Sequence, residues 1–337
     1  MIKVAIVGAG YWGPNLIRNF HACSDTEVVA VCDSDRDALH KALTLYPGVA
    51  GVDSLEQLLT CRDLDAVAIS TPVSSHATMC LAALRAGKHV LVEKPLATSV
   101  KEAEEVVDLA TKLGLTLMVD HTYVYSGAVR KMYDLIQSGE LGDVYFVDSV
   151  RINLGIFQHD VNVVWDLAPH DLSILDYLLG RLPKSVSAFG TCHADSESGI
   201  EDVAYLNLDF GGCLLASCHV SWLSPVKVRH FIVGGNRKSV VYNDLQPGEK
   251  IKIYDRGITV SHDTDARRGL LIGYRAGDMW SPRLDQSEPL QQVVRHFAAC
   301  IRENRRPITD GEAGVRIVRI LDAAQRSIKA QGGRITL

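Results

Sequence analysis

Three groups of side chains in this 337-residue sequence carry reactive chemistry at informative spacings. Asp166 and His170 stand four apart in the run Val163-Val164-Trp165-Asp166-Leu167-Ala168-Pro169-His170. On a helix they share one face. A carboxylate one turn before an imidazole orients the ring and favours its protonated form, as a general acid–base near neutral pH requires. The same spacing also describes an ordinary surface ion pair. Lys94 lies in Glu93-Lys94-Pro95, directly after the apolar run Lys88–Val92. At the carboxyl end of a strand its ammonium is placed to hydrogen-bond a hydroxyl or carbonyl oxygen of a ligand; elsewhere it would be a solvated lysine. Gly8, Gly10 and Gly13 have the spacing of a phosphate-binding turn. The first allows the tight turn, the second admits a pyrophosphate, and the third lets the next helix lie close.

These groups need elements to hold them. Residues 2–7 read as a buried strand, because a central parallel strand is covered on both faces. A helix over 13–22 follows, with Pro14 in its first turn, and its N-terminus offers unpaired N–H groups to phosphates. Tyr11 and Trp12 fall inside this turn. The strand Glu27–Cys32 ends at Asp33, 23 residues beyond Gly10, where a carboxylate accepts both ribose hydroxyls of an adenosine. A 2′-phosphate would be repelled there, which favours NAD(H) over NADP(H). Asp33 is also a candidate N-cap for the helix 34–45. A helix over 54–60 and a strand over 64–70 lead to Thr71-Pro72-Val73-Ser74-Ser75-His76, again at a carboxyl edge, where ligands bind in open α/β sheets. Pro72 makes a rigid wall for a planar ring, and His76 is either a ligand contact or a structural residue at the start of the helix 76–86. Glu93 and Lys94 reach the same edge. A helix over 99–113 and a strand over 115–119 complete a doubly wound parallel sheet of the Rossmann type.

The remainder reads differently. A helix over 126–138 and a strand over 143–152 precede the Asp166/His170 segment, where Pro169 disfavours helical angles at Ala168; Asp166–Ala168 is therefore expected to form a turn of its own. Successive strands then follow at 185–192, 203–210, 213–222, 228–235 and 238–244, with glycines at 211–212 and 234–235. This pattern predicts an α+β domain with a large, open, mainly antiparallel sheet. Residues 256–287 are poorly periodic and read as a loop or oligomer arm. Helices over 288–303 and 312–330 close the chain. The expected domains are a dinucleotide-binding domain over 1–121 and a substrate and oligomerisation domain over 122–337, with the last helices free to pack back on the first.

Composition bounds the function. A hydrophobic fraction of 47% and a charged fraction of 22% belong to a globular protein, and the formal net charge of −5 disfavours nucleic acid as a partner. No apolar run reaches the ~20 residues of a membrane span, and the chain enters a strand at once, so no leader is expected and the expected compartment is the cytoplasm. Eight cysteines without a C-x-x-C pair read as reduced core thiols, not a metal site.

AIVGAGYWG, ISTPVSSH and VEKPLA, in this order and spacing, together resemble the Gfo/Idh/MocA family of sugar oxidoreductases. The resemblance implies that Lys94 sits in the active site near a nicotinamide. It also implies that Asp166 and His170 match the family's catalytic Asp-x-x-x-His element, although Val161-Asn162-Val163-Val164 stands where many relatives carry glycines. In such proteins the second domain's sheet covers the nicotinamide pocket. Tyr123, Arg151, Asn153, Trp165, Trp222 and Lys227 are the expected substrate contacts, with His219 and Arg229 as further candidates. The activity expected is an NAD(H)-dependent interconversion of a secondary hydroxyl and a ketone on a pyranose. The wording GYWGPNLIRN and SWLSPVKVRH resembles surface-polysaccharide and natural-product branches. It points to a nucleotide-linked sugar, with C3 as a candidate carbon, or to the sugar of an aminoglycoside-like metabolite. A glycosidase that oxidises its sugar transiently on a retained NAD is the alternative. Homo-oligomerisation through the open sheet, as a dimer or tetramer, is expected.

Overall fold

A computed structural model describes residues 1–155, 157, 161–194, 199–260 and 272–337. The chain divides into two units, one built from Met1–Tyr125 and Ser287–Asp322, the other from Ser126–Gln286 and Ala323–Leu337. The first break between the units lies at Tyr125/Ser126, and the segment 287–322 belongs to the first unit.

In the first unit the elements are β1 (Ile2–Val7), α1 (Gly13–Ala22), β2 (Thr26–Cys32), α2 (Arg36–Leu45), β3 (Ala50–Val52), α3 (Leu55–Leu59), β4 (Ala66–Ile69), α4 (His76–Arg85), β5 (His89–Glu93), α5 (Val100–Leu113) and β6 (Leu117–Asp120). The six strands form one parallel sheet in the order β3-β2-β1-β4-β5-β6. Val4–Val7 and all of β4 are buried, as central strands covered on both faces must be. Local signals set the helix ends. Ser99 accepts the Glu102 N–H to cap α5, and Gly114, at φ 65°, stops it in the left-handed region.

The second unit begins with α6 (Gly127–Gln137), β7 (Val144–Leu154) and α7 (Val163–Leu179). Strands β8 (Ser185–Thr191), β9 (Val203–Gly211), β10 (Leu214–Ser221), β11 (Leu223–Gly235), β12 (Ser239–Asn243), β13 (Ile251–Val260), β14 (Ile272–Trp280) and β15 (Ile335–Thr336) follow. With β7 they form a nine-stranded sheet ordered β14-β13-β12-β11-β7-β10-β9-β8-β15, antiparallel except for the β7/β10 pair. Alternation along the strands separates two faces. Val147, Ser149 and Arg151 of β7 are buried, on the face that α7 covers, whereas Phe146 and Asp148 are exposed. Of the segment 256–287, expected as a loop or arm, the outer parts are strands: β13 and β14 pair as a hairpin, and residues 261–271 lie outside the described residues.

The last two helices are α8 (Pro289–Glu303) and α9 (Gly311–Lys329). Within the first unit, α8 packs on α1 through an edge-to-face contact of Phe20 and Phe297, and Arg18 forms a two-pronged ion pair with Glu288. The unit boundary falls inside α9.

Candidate active site

The glycine turn has the geometry its spacing predicts. Gly8 has φ 97°, and a Cβ there would meet Ser70 O at 2.7 Å; a Cβ on Gly13 would lie 2.1 Å from Gly8 O. Neither position tolerates a side chain. A Cβ on Gly10 meets nothing within 4 Å, and Gly10 is exposed, so the space above it is open to a ligand. The N-terminus of α1 has no side-chain cap and no acidic residue in its first turn. Its N–H groups and dipole are thus left to an anion. Asp33 accepts the Ala9 N–H at 2.6 Å with Oδ2 and the Asp35 N–H at 2.8 Å with Oδ1, which ties it to the turn. It is not the cap of α2: Asp35 accepts from Asp37 and Ala38 in that role. Tyr11 is exposed and Trp12 half-buried. This donor set fits a dinucleotide, with Gly8, Gly10 and Gly13 at the pyrophosphate and Asp33 at the ribose.

At the carboxyl edge of β4 and β5, Thr71 and Pro72 reach the surface while His76 is buried. One ring nitrogen of His76 lies 2.8 Å from Pro95 O and the other 2.9 Å from Thr71 O. The imidazole therefore clamps the two edge loops together, and both nitrogens are engaged by main chain instead of being offered to a ligand. Glu93 and Lys94 are half-buried, and the Lys94 N–H donates to Glu93 Oε2 at 3.3 Å.

Sequence reasoning passed over the neighbours of this element. Asp120 ends β6 directly opposite Glu93, and Asp120 and His121 are buried. Burial, then the nearby Asp120, pushes the Glu93 carboxyl well above the usual range; burial also raises Asp120. The His121 imidazole is pushed down to about 3 by burial and by the charges of Lys94 and Arg316, and is neutral. The rule that marked Glu93-Lys94, chemistry at a strand's carboxyl end, marks Asp120-His121 equally.

In the second unit α7 runs unbroken from Val163 to Leu179 with Pro169 inside it. The separate turn expected over Asp166–Ala168 is absent. The start of α7 is fixed by a cap: Asn162 Oδ1 accepts the N–H groups of Val164 and Trp165. Asp166 and His170 consequently share one helical face, both half-buried. The Trp222 indole N–H donates to Asp166 Oδ2 at 3.1 Å.

The expected substrate contacts divide. Tyr123, Asn153 and Trp165 are half-buried, and Lys227 is exposed. Arg151 is buried in a two-pronged ion pair with Asp171, at 2.8 and 3.0 Å, which fastens α7 to β7 beside His170. Trp222 is 1% exposed and acts on Asp166, not on solvent. Arg229 pairs with Asp244, which Lys250 and Tyr242 also engage. His219 stacks on Tyr205 at a 4.2 Å centroid separation, and the strand alternation puts it on the opposite face from Arg151. A residue's polar type shows neither its partner nor its face, so these contacts were not legible in the sequence. Among the described residues no helix is long and apolar enough to cross a membrane, and no group of His, Cys, Asp or Glu is placed to hold a metal. Burial pushes the Cys80 and Cys218 thiols up, leaving them inert.

Fold and turn together define a dinucleotide-binding domain of the Rossmann type, and similarity to known proteins gives the class. Residues 2–121 match the family model described as "Oxidoreductase family, NAD-binding Rossmann fold", and residues 129–241 match the GFO/IDH/MocA C-terminal domain. The chain belongs to the GFO/IDH/MocA oxidoreductase family. It is 30% identical over 274 residues to 1,5-anhydro-D-fructose reductase of Ensifer adhaerens, covering 78% of this chain and 77% of that one. It is 39% identical over 172 residues, 48% of this chain and 49% of the other, to the dTDP-3,4-didehydro-2,6-dideoxy-alpha-D-glucose 3-reductase of Streptomyces violaceoruber. Among solved structures, UDP-N-acetylglucosamine 3-dehydrogenase from Acidithiobacillus ferrooxidans superposes with a TM-score of 0.83 at 22% identity, over 98% of both chains.

Proposed function

We propose that this enzyme interconverts a secondary hydroxyl and a ketone on the pyranose of a nucleotide-linked sugar, at C3, using NAD(H). The observation that carries the chemistry is the α7 pair: Asp166 and His170 on one face of an unbroken helix, with the Asp166 carboxylate held by Trp222. His170 takes the hydroxyl proton in the oxidising direction and returns it in reduction. Asp166 orients the ring and stabilises its protonated form. Lys94 hydrogen-bonds the same substrate oxygen and stabilises its alkoxide character. The bound nicotinamide supplies the hydride exchange with the sugar carbon. Tyr11, Trp12, Thr71, Pro72 and Glu93 line the dinucleotide in this reading, and Tyr123, Asn153, Trp165 and Lys227 contact the sugar nucleotide. The 3-reductase and 3-dehydrogenase relatives support the position, since both names place the chemistry at carbon 3.

We also place the protein as a homo-oligomer joined through the uncovered sheet face. Phe189, Tyr205, His219, Val150 and His230 align across five strands there, and Phe189, Tyr205, Phe146 and Leu215 are all more than 40% exposed. An apolar patch of this kind marks an interaction surface.

The substrate is tested by incubating the enzyme and NAD with UDP- and dTDP-linked sugars and with free amino sugars, following NADH absorbance and released sugar together. NADH formation with a nucleotide-linked sugar is expected, and a substrate deoxygenated at C3 should give none. Turnover of free amino sugars alone would overturn the substrate class, and sugar release without net NADH would make the enzyme a glycosidase.

A further inference from the structure

The buried groups around Lys94 leave a deficit of protons that one added proton resolves. Glu93 and Asp120 are register partners at the ends of adjacent parallel strands, so their side chains leave the sheet on the same face. Glu93 Oε2 accepts from the Lys94 N–H and Asp120 Oδ1 accepts from the Thr122 hydroxyl at 2.7 Å. The remaining oxygens, Glu93 Oε1 and Asp120 Oδ2, are buried with no protein donor in hydrogen-bond geometry. The surroundings are poor in alternatives. The Trp12 indole N–H comes near enough to Asp120 to lower it as a donor but falls outside hydrogen-bond geometry, and the two buried ring nitrogens of His121 also lack partners. Two ionised carboxylates have no donor between them, yet these two carboxyls are close enough to hydrogen-bond each other. Two buried negative charges side by side are strongly unfavourable, and a single shared proton removes one charge and supplies the missing donor.

We propose that Glu93 and Asp120 hold one proton between them, and that this singly charged pair is the buried counter-ion that positions Lys94. The groups facing the pair are Lys94 on the β5 edge loop, His121 beyond β6, Thr122 and Trp12, with Arg316 of α9 acting on His121. Of these, Lys94 is the cation that favours the ionised form of Glu93. The pair touches Lys94 through the main-chain bond to Glu93 and through charge, so Glu93 and Asp120 are positioning residues. The shared proton stands on unit-one geometry alone; its consequence for catalysis rests on the role given to Lys94 above.

Infrared difference spectroscopy of the protein without cofactor or sugar tests the two halves separately from any activity. At pH 7 the wild-type protein should show the carbonyl stretch of a protonated carboxylic acid. Subtracting Glu93→Gln or Asp120→Asn, each checked for folding by circular dichroism, should reveal that band as lost in both variants. Loss in only one variant would mean an unshared proton, and no such band in the wild type, or one lost in neither variant, would mean that the pair holds no proton; each overturns the pair. A pH titration of the band then compares wild type with Lys94→Met. Removing the ammonium should carry the band about one pH unit or more higher. An unmoved titration would remove the pair from its role as the counter-ion of Lys94. If the band behaves as expected but Lys94→Met still turns over sugar normally, the catalytic reading of Lys94 fails and the shared proton stands.

Discussion

The Asp33 carboxylate, proposed as the ribose contact, is held by the Ala9 and Asp35 N–H groups. Hydrogen bonds to a charged group are worth about 1.5–3 kcal/mol. Asp33→Ala should therefore weaken NADH binding roughly 10- to 100-fold by fluorescence titration while narrowing the gap to NADPH. Trp222 shows how a buried residue serves the same site indirectly. Trp222→Phe keeps an aromatic ring but removes the donor to Asp166, and kcat/KM is expected to fall roughly tenfold with its pH dependence displaced. His121 gives a stability signature of opposite sign to its neighbour Glu93. Its folded pKa, about 3, lies below the ordinary histidine value of 6.5. The unfolded chain then binds more protons, and stability is lost as pH falls from 6.5 toward 3. The contribution is about 2 kcal/mol between pH 7 and pH 5. Glu93, with a raised pKa, gains stability as pH falls, but it is common to both proteins in a comparison of wild type with His121→Leu. Urea unfolding at the two pH values should show the variant with the smaller acid loss.

Elements whose role is written in local pattern were legible. The strand β1, the glycine turn and α1 follow from apolar run, glycine spacing and Pro14, and Gly13 shows how tightly they are coupled. Its Cβ would fall 2.1 Å from Gly8 O, so Gly13→Ala must drive α1 away from β1. A loss of roughly 2–3 kcal/mol is expected from such overpacking, with the denaturation midpoint lowered and NADH binding impaired together. Antiparallel strands of the second unit were equally clear, because alternation and turn glycines mark each one. Elements decided by distant contacts were not. β3 and β15 are too short to show a period, α7 passes through Pro169 where local rules predict a break, and β13 and β14 lack clean alternation. Within the candidate site, residue type and position single out Lys94, Asp166 and the glycines. The partners of Arg151 and Trp222 were not legible, because only the fold shows that Asp171 and Asp166 receive them.

Each unit has its own sheet, but the chain does not divide in sequence order: residues 287–322 complete the first unit after the second has been laid down. Periodicity along the chain cannot announce such a return; the Phe20–Phe297 and Arg18–Glu288 contacts do. The second unit's uncovered face predicts assembly. Leu215→Glu, beside Phe146 on that face, should lower the sedimenting mass to that of a monomer while leaving the chain folded; an unchanged mass would place the interface elsewhere. The proposed chemistry turns on His170 as its acid–base group. The most direct measurement is turnover of His170→Ala beside its NADH affinity. A fall in kcat of roughly 100- to 10,000-fold is expected, with NADH fluorescence binding close to wild type. Wild-type turnover in that variant would contradict that role.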